Sequence, residues 1–106
     1  DKKKYEEAIK FALINNFINS LKNKDNTKLF SNGENISGGQ RQRIILARTY
    51  YHSQDIIVLD ECTSNLDINA EKLILRNLEK YCAKKIVLYI THRKIDKKIF
   101  NQSIKL

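Results

Sequence analysis

The stretch Ile36-Ser37-Gly38-Gly39-Gln40-Arg41-Gln42-Arg43 joins a polar loop to an apolar segment with helical spacing, and the rest of the chain can be interpreted from it. It contains two of the three glycines in the chain. Ser37 is a good helix N-cap, and Gln40 three positions later completes a capping box. Glycines in a first turn leave the backbone N–H groups uncovered, and such groups bind anions, most often phosphate. The spacing therefore predicts a helix that begins after Ser37 and presents its N-terminus to a phosphate.

Helices and strands alternate downstream of this helix, which we expect to end near Tyr51. Four consecutive aliphatic residues within 55–60 predict a strand buried on both faces, and the polar loop 62–67 follows it. Asp67 can cap a helix over 68–81 that carries one apolar stripe with charges opposite. A second buried strand is predicted over 85–90. The order strand, helix, strand indicates a parallel crossover and the α/β fold class.

The flanking segments are predicted with less regular patterns. Apolar residues at helical spacing indicate a helix from Tyr5 to about Leu21, and the polar residues 22–35 indicate a loop. After the second strand we expect a short helix over 94–98 and the start of a last strand at 103–106.

Three residues whose side chains can bind metal or transfer a proton lie at the ends of the two strands. Asp60 and Glu61 close the first strand and His92 ends the second, at the edge where parallel sheets bind ligands. Asp60 and Glu61 point in different directions because they are adjacent, so one can hold Mg²⁺ while the other deprotonates a water. His92 beside them could contact a phosphate. On spacing alone, strand ending and turn capping explain the two acids equally well, and a structural role explains His92.

Composition limits the classes of protein to which the chain can belong. With 106 residues, 42% of them hydrophobic, the chain has enough core for one small domain. The net charge of +8 is scattered over helix faces without interleaved aromatics, so we expect no nucleic-acid partner. No apolar run approaches the roughly 20 residues of a membrane helix. Cys62 and Cys82 lack metal-ligand spacing and are interpreted as reduced thiols. We expect His52 at the surface and Cys62 not to be a nucleophile.

Four motifs together resemble the ATPase domain of ATP-binding-cassette (ABC) transporters. Residues 36–40 look like the signature motif, with Ile for the usual Leu, and 56–61 resemble the Walker B strand with its glutamate. Residues 64–67 resemble the D-loop, and 91–93 the switch histidine. The motifs keep the family's order and spacing, and the loop after Glu61 is similar to that of transport exporters. The resemblance covers nearly the whole chain and implies part of a P-loop NTPase fold.

The resemblance implies a role for each motif residue. Two ATPase domains would sandwich two ATP molecules, with the signature motif of one domain on the γ-phosphate held by the other. Ser37, Gly38, Gly39 and Gln40 would make that contact, Asp60 would assist Mg²⁺ binding, Glu61 would be the general base, His92 would contact the γ-phosphate, and Ser64 and Asp67 would lie across the dimer interface. The implied partners are a second ATPase domain and the transporter's membrane domains, with the ATPase domain on the cytoplasmic side.

The chain has no phosphate-binding motif of the form G-x-x-x-x-G-K-S/T. We therefore expect the C-terminal half of an ATPase domain, inactive by itself and with one open sheet edge. Residues 1–52 would be part of the helical subdomain with the signature motif, and 53–106 the C-terminal part of the ATPase core. Two other interpretations remain open: a nonhydrolytic half-domain that lends its signature helix to a partner, and a basic nucleic-acid-binding module.

Overall fold

A computed structural model describes residues 1–20, 37–95 and 97–104, apart from the side chain of residue 97. The predicted loop 22–35 and the last two residues of the predicted final strand lie outside the described residues. The elements are α1 (Lys2–Phe11), α2 (Asn15–Ser20), α3 (Gly38–His52), β1 (Ile56–Asp60), α4 (Ile68–Tyr81), β2 (Ile86–Ile90) and a 3₁₀ helix (Lys97–Ile99). The predicted helix over 94–98 is thus a shorter and later 3₁₀ turn, and residues 103–104 are not in a strand.

Helix α3 begins with the predicted capping box. The Gln40 N–H donates to Ser37 Oγ at 3.1 Å, and the Ser37 N–H donates to Gln40 Oε1 at 3.0 Å. Each bond satisfies a backbone donor that the helix geometry leaves without an intrahelical acceptor. The first turn of α3 is therefore fixed by its own side chains, which defines the direction of the glycine N–H groups.

Strands β1 and β2 form a parallel pair, in register from Ile56 opposite Ile86 to Asp60 opposite Ile90. Among the described residues these two strands make the whole sheet. Ile57 and Leu59 point into the core and are 1% and 0% exposed. The other face, which we call the open sheet face, carries five apolar residues that are 40–66% exposed: Ile56, Val58, Ile86, Leu88 and Ile90. The prediction of strands buried on both faces is wrong for these residues, because the described helices cover only one face.

The core lies between the covered face of the sheet and helices α1, α3 and α4. Leu46 of α3 and Ile74 of α4 are completely buried there. An aromatic cluster joins the three helices: the Phe11 and Tyr50 rings stack with centroids 5.0 Å apart, and Tyr81 meets both rings edge-on. This packing positions α3, and with it the glycine pair, against the strand ends.

The predicted helix over 5–21 is wrong in one respect, because it is broken into α1 and α2. Leu13 adopts a left-handed backbone with φ 58°, and the Ile14 N–H donates to the Ile9 carbonyl at 3.0 Å. That conformation costs a non-glycine residue about 1–2 kcal/mol. The break lets Phe11, Ala12 and Ile14 all become buried, and this burial offsets the cost. None of the described helices is both long and apolar enough to cross a membrane.

Candidate functional site

The ends of β1 and β2 bring Glu61 and His92 together. Asp60 pairs with Ile90 at the end of the ladder, so Glu61 and His92 follow from adjacent strands. Glu61 Oε1 lies 3.1 Å from His92 Nε2, and the His92 side chain is 94% exposed. The structure therefore places an acid and an imidazole side by side, facing solvent, at the edge where a parallel sheet binds ligands.

The backbone of Glu61 is in the left-handed region, with φ 56°. Its N–H donates to the Ile90 carbonyl at 2.9 Å, so the turn that leaves β1 is attached to β2. Strained non-glycine residues persist where the surroundings hold them, and they cluster at functional sites. Although His92 is close, Glu61 Oε1 is a buried atom without a hydrogen-bond donor among the described residues. The Glu61 side chain as a whole is 39% exposed, so solvent reaches the carboxylate elsewhere than at Oε1.

The start of α3 packs against the loop that follows β1. A Cβ atom on Gly38 would lie 3.3 Å from Asn65 Nδ2, and one on Gly39 would lie 3.3 Å from the Asn65 carbonyl oxygen. Both glycines thus admit a close approach of residues 65–66. The sequence pattern predicted the glycines as openings for a phosphate, and it did not indicate that the same chain's loop also needs them.

Asp60, Ser37 and Asp67 are all exposed, and two of them have local structural roles. Ser37 Oγ accepts the cap bond and donates to no other described residue, so its hydroxyl proton can point outward. Asp67 is the N-cap of α4, as predicted, because it accepts from the Ala70 N–H at 2.7 Å. Asp60 ends β1 with its carboxylate in solvent. No three His, Cys, Asp or Glu residues of the described segments cluster closely enough to hold a metal by themselves.

A buried carboxylate behind the strand ends was missed in the sequence. Glu71 of α4 is 4% exposed, although the pattern assigned charged residues to the solvent face. Glu71 Oε2 accepts from Thr63 Oγ1 and from the Tyr89 hydroxyl at 2.8 Å, and Glu71 Oε1 lies 3.3 Å from Arg93 Nη1. The signal was available: Glu71 shares helical spacing with buried Ile74, Leu75 and Leu78, so it lies within the apolar stripe.

Arg93 connects this carboxylate to the loop after β1. Its Nη2 donates to the Ser64 carbonyl at 2.6 Å, while its backbone N–H donates to Thr91 Oγ1 at 3.0 Å. The segment that carries His92 is therefore bonded to the loop that follows Glu61. Arg93 and Glu71 bond to both loops, so a partly exposed ion pair helps to hold Glu61 and His92 in their relative position.

The remaining candidate side chains are not part of the site. Burial raises the pKa of the Cys62 thiol, which disfavours the thiolate that a nucleophile needs. Its Sγ donates to the Asp60 carbonyl at 3.6 Å. His52 is exposed at the end of α3, away from the strand ends. The surface position expected for His52 is confirmed.

Comparison with known proteins identifies the relatives of this arrangement. The family model described as "ABC transporter" matches residues 2–64. A probable ABC transporter ATP-binding/permease protein of Haemophilus influenzae is 43% identical over 98 residues, which are 92% of this chain and 18% of that protein. The leukotoxin export ATP-binding protein LtxB of Aggregatibacter actinomycetemcomitans is 42% identical over 86 residues, 81% of this chain and 12% of that protein.

The fold comparison agrees with the sequence comparison. The solved structure of a bacterial Atm1-family ABC exporter with ATP bound matches with a TM-score of 0.79 and 31% identity, over 88% of this chain and 16% of that one. The α/β fold is thus that of an ABC exporter's nucleotide-binding domain, and the chain spans less than a fifth of the length of these relatives. Because the family model matches more than half of the residues of this chain, the chain belongs to the ABC transporter family.

Proposed function

We propose that the chain is part of the nucleotide-binding domain of an ABC exporter, which couples ATP binding and hydrolysis to transmembrane export. The observation that carries the proposal is the pair Glu61 and His92, with Oε1 and Nε2 3.1 Å apart at the strand ends. The relatives are named as export or permease proteins that bind ATP, which supports the same assignment. Residues 1–52 would belong to the helical subdomain, and 53–106 to the C-terminal part of the ATPase core.

Glu61 is the general base in this proposal. The Glu61 side chain is 39% exposed, so its carboxylate can accept a hydrogen bond from a water and take the proton during attack, with Oε1 covered beside His92. His92 lies on the solvent side of the carboxylate, where Nε2 can donate to a phosphate oxygen when it is not turned toward Glu61. The left-handed backbone at Glu61, bonded to Ile90, fixes where that carboxylate points.

The start of α3 would bind the γ-phosphate of an ATP held by a second ATPase domain. The helix leaves the N–H groups of Gly38 and Gly39 without intrahelical acceptors, and the Ser37 hydroxyl donates to none of the residues that the structure describes. Gln40 would contribute through its Nε2 group, since its Oε1 is used by the capping box. Asp67 and Ser64 would lie across the interface with the second domain.

Asp60 fits a role in holding Mg²⁺. Its single exposed carboxylate at the end of β1 suits an ion that takes one or two carboxylates and completes its shell with phosphates and water. Bound there, Mg²⁺ would neutralise charge that develops on the phosphates. The membrane domains of the same transporter are the proposed partners, which would put the ATPase domain at the cytoplasmic face of a membrane.

The test is Glu61→Gln in the full-length protein, with Glu79→Gln on the exposed side of α4 as the control. Glutamine keeps the shape and removes the base, so turnover should fall by about 10²-fold or more while ATP still binds. The measurements are the steady-state rate of phosphate release and equilibrium binding of a fluorescent ATP analogue. Turnover equal to that of the unsubstituted protein would remove Glu61 from the mechanism.

A further inference from the structure

Gln42, on the second turn of α3, bonds to three residues of the loop after β1. Its Nε2 donates to the Glu61 carbonyl at 3.3 Å and to Ser64 Oγ at 2.8 Å. Its Oε1 accepts from the Asn65 N–H at 2.8 Å. One amide thus uses both of its N–H donors and its oxygen within a five-residue turn. The bond to the Glu61 carbonyl is partly buried, so water competes less for it, while the bonds to Ser64 and Asn65 are exposed.

These bonds hold the peptide that follows Glu61. The Glu61 N–H is attached to Ile90 of β2, and its carbonyl is attached to Gln42 of α3. Between these two attachments Glu61 keeps a left-handed backbone that a glutamate does not favour. Without Gln42, one of the two restraints on this conformation is lost, and the Glu61 carboxylate can turn away from His92.

Gln42 also lies one turn beyond the glycine pair. Gly38 and Gly39 are at the N-terminus of the same helix, where they contact Asn65 and Leu66. A displacement of the start of α3 is therefore passed to the same loop through two sets of contacts, one steric and one hydrogen-bonded. Both sets end at or next to residues 61–65.

We propose that Gln42 is a positioning residue for Glu61 and that it couples the phosphate-facing start of α3 to the carboxylate. The inference rests on the proposed function, in which α3 faces an ATP held by the opposite domain and Glu61 faces the ATP held by its own domain. ATP bound at the start of α3 would then fix the position of the Glu61 carboxylate in the other ATP site, so that binding at one site would affect turnover at the other.

The experiment compares Gln42→Ala and Gln42→Glu in the full-length protein with Gln54→Ala, an exposed glutamine before β1. Gln42→Glu keeps the acceptor for Asn65 but has no N–H for the Glu61 carbonyl. Both variants should lower kcat about tenfold or more, as expected when a reacting group is misplaced, with KM for ATP nearly unchanged. The cooperativity of turnover with respect to ATP should also weaken, which a purely structural loss would not cause. Gln54→Ala should change none of these quantities.

The outcomes separate this inference from the proposed function. If the unsubstituted protein hydrolyses ATP, Glu61→Gln stops turnover, and both Gln42 variants keep full kcat and cooperativity, only the role of Gln42 is wrong. A rise in KM without a fall in kcat also overturns it. If Gln42→Ala does not fold, the near-isosteric Gln42→Glu decides alone. A protein that lacks ATP hydrolysis overturns the proposed function itself, whereas full turnover in Glu61→Gln removes Glu61 as the base and, with it, the role of Gln42 as its positioning residue.

Discussion

The carbonyl oxygen of Asn65 lies 3.3 Å from the position that a Cβ atom on Gly39 would occupy. The second glycine of the signature stretch therefore admits the backbone of its own chain, in addition to any phosphate at the helix N-terminus. Gly38 differs, because its closest neighbour is Nδ2 of the exposed Asn65 side chain, which can move.

This difference predicts opposite effects on stability for alanine at the two positions. Alanine gains up to about 1 kcal/mol over glycine in a helix, so Gly38→Ala should leave the domain as stable or slightly more stable. Gly39→Ala should lower stability by about 1 kcal/mol, because the Asn65 backbone and Leu66 must shift. Thermal unfolding of the full-length protein measures both. Equal stabilisation by the two substitutions would mean that residues 65–66 can shift without a cost in stability.

The sequence predicted α3, β1, α4 and β2 to within about a residue, because hydrophobic periodicity and capping residues are local signals. The break at Leu13 could not be predicted that way. Asn15 and Asn16 follow the break, but the left-handed residue itself is a leucine, and the burial of Phe11, Ala12 and Ile14 against the other helices explains why it adopts φ 58°. Such tertiary packing is invisible in a local pattern.

Glu71 should be the most sensitive charged position in the described core. Glu71→Ala removes the acceptor of Thr63 and Tyr89 and leaves Arg93 without its carboxylate, so it should cost about 2–3 kcal/mol. The one-third exposure of Arg93 keeps the cost at the lower end, since water partly replaces the pair. Glu71→Gln retains an acceptor and should cost about 1 kcal/mol. Chemical denaturation compares the two variants.

Glu79→Ala, on the exposed side of the same helix, is the matched control and should be nearly neutral. A Glu71→Ala variant as stable as this control would show that the Glu71–Arg93 pair does not hold the two loops. Part of the site could be predicted from the sequence, and part of it could not. The strand-end residues Asp60, Glu61 and His92 follow from topology, whereas the contacts of Gln42 and Arg93 depend on how loops meet in space.

The open sheet face should make the 106-residue chain associate when it is studied by itself. Its five apolar side chains form one continuous exposed strip on a two-stranded sheet. At micromolar concentration the chain should bind a hydrophobic dye and sediment as species larger than a monomer. The paired substitutions Val58→Thr and Leu88→Thr, on facing strands, should reduce both signals.

Ile104→Thr provides the control for this prediction. Ile104 is 81% exposed but lies outside the sheet, so its replacement should change neither dye binding nor sedimentation. A monomeric wild-type chain without dye binding would contradict the assignment of the strip as an association surface.

The stability of the domain should fall at alkaline pH, partly through Cys82. This thiol is 2% exposed, and burial raises its pKa from the ordinary 9.0 to about 11 despite the nearby Lys85. Because the folded-state pKa is the higher one, the contribution of Cys82 to stability is complete below pH 9.0 and is lost as the pH rises through about 11. Between these two pKa values the thiol ionises in the unfolded chain first, and this ionisation favours the unfolded chain by on the order of 2 kcal/mol.

Unfolding free energies of Cys82→Ala and wild type, measured between these two pKa values, should therefore converge as the pH rises, since the tyrosine contributions cancel between the two proteins. Cys62→Ala, at a partly exposed thiol whose pKa burial also raises, should show a smaller convergence, and parallel curves for Cys82→Ala and wild type would contradict the burial of this thiol.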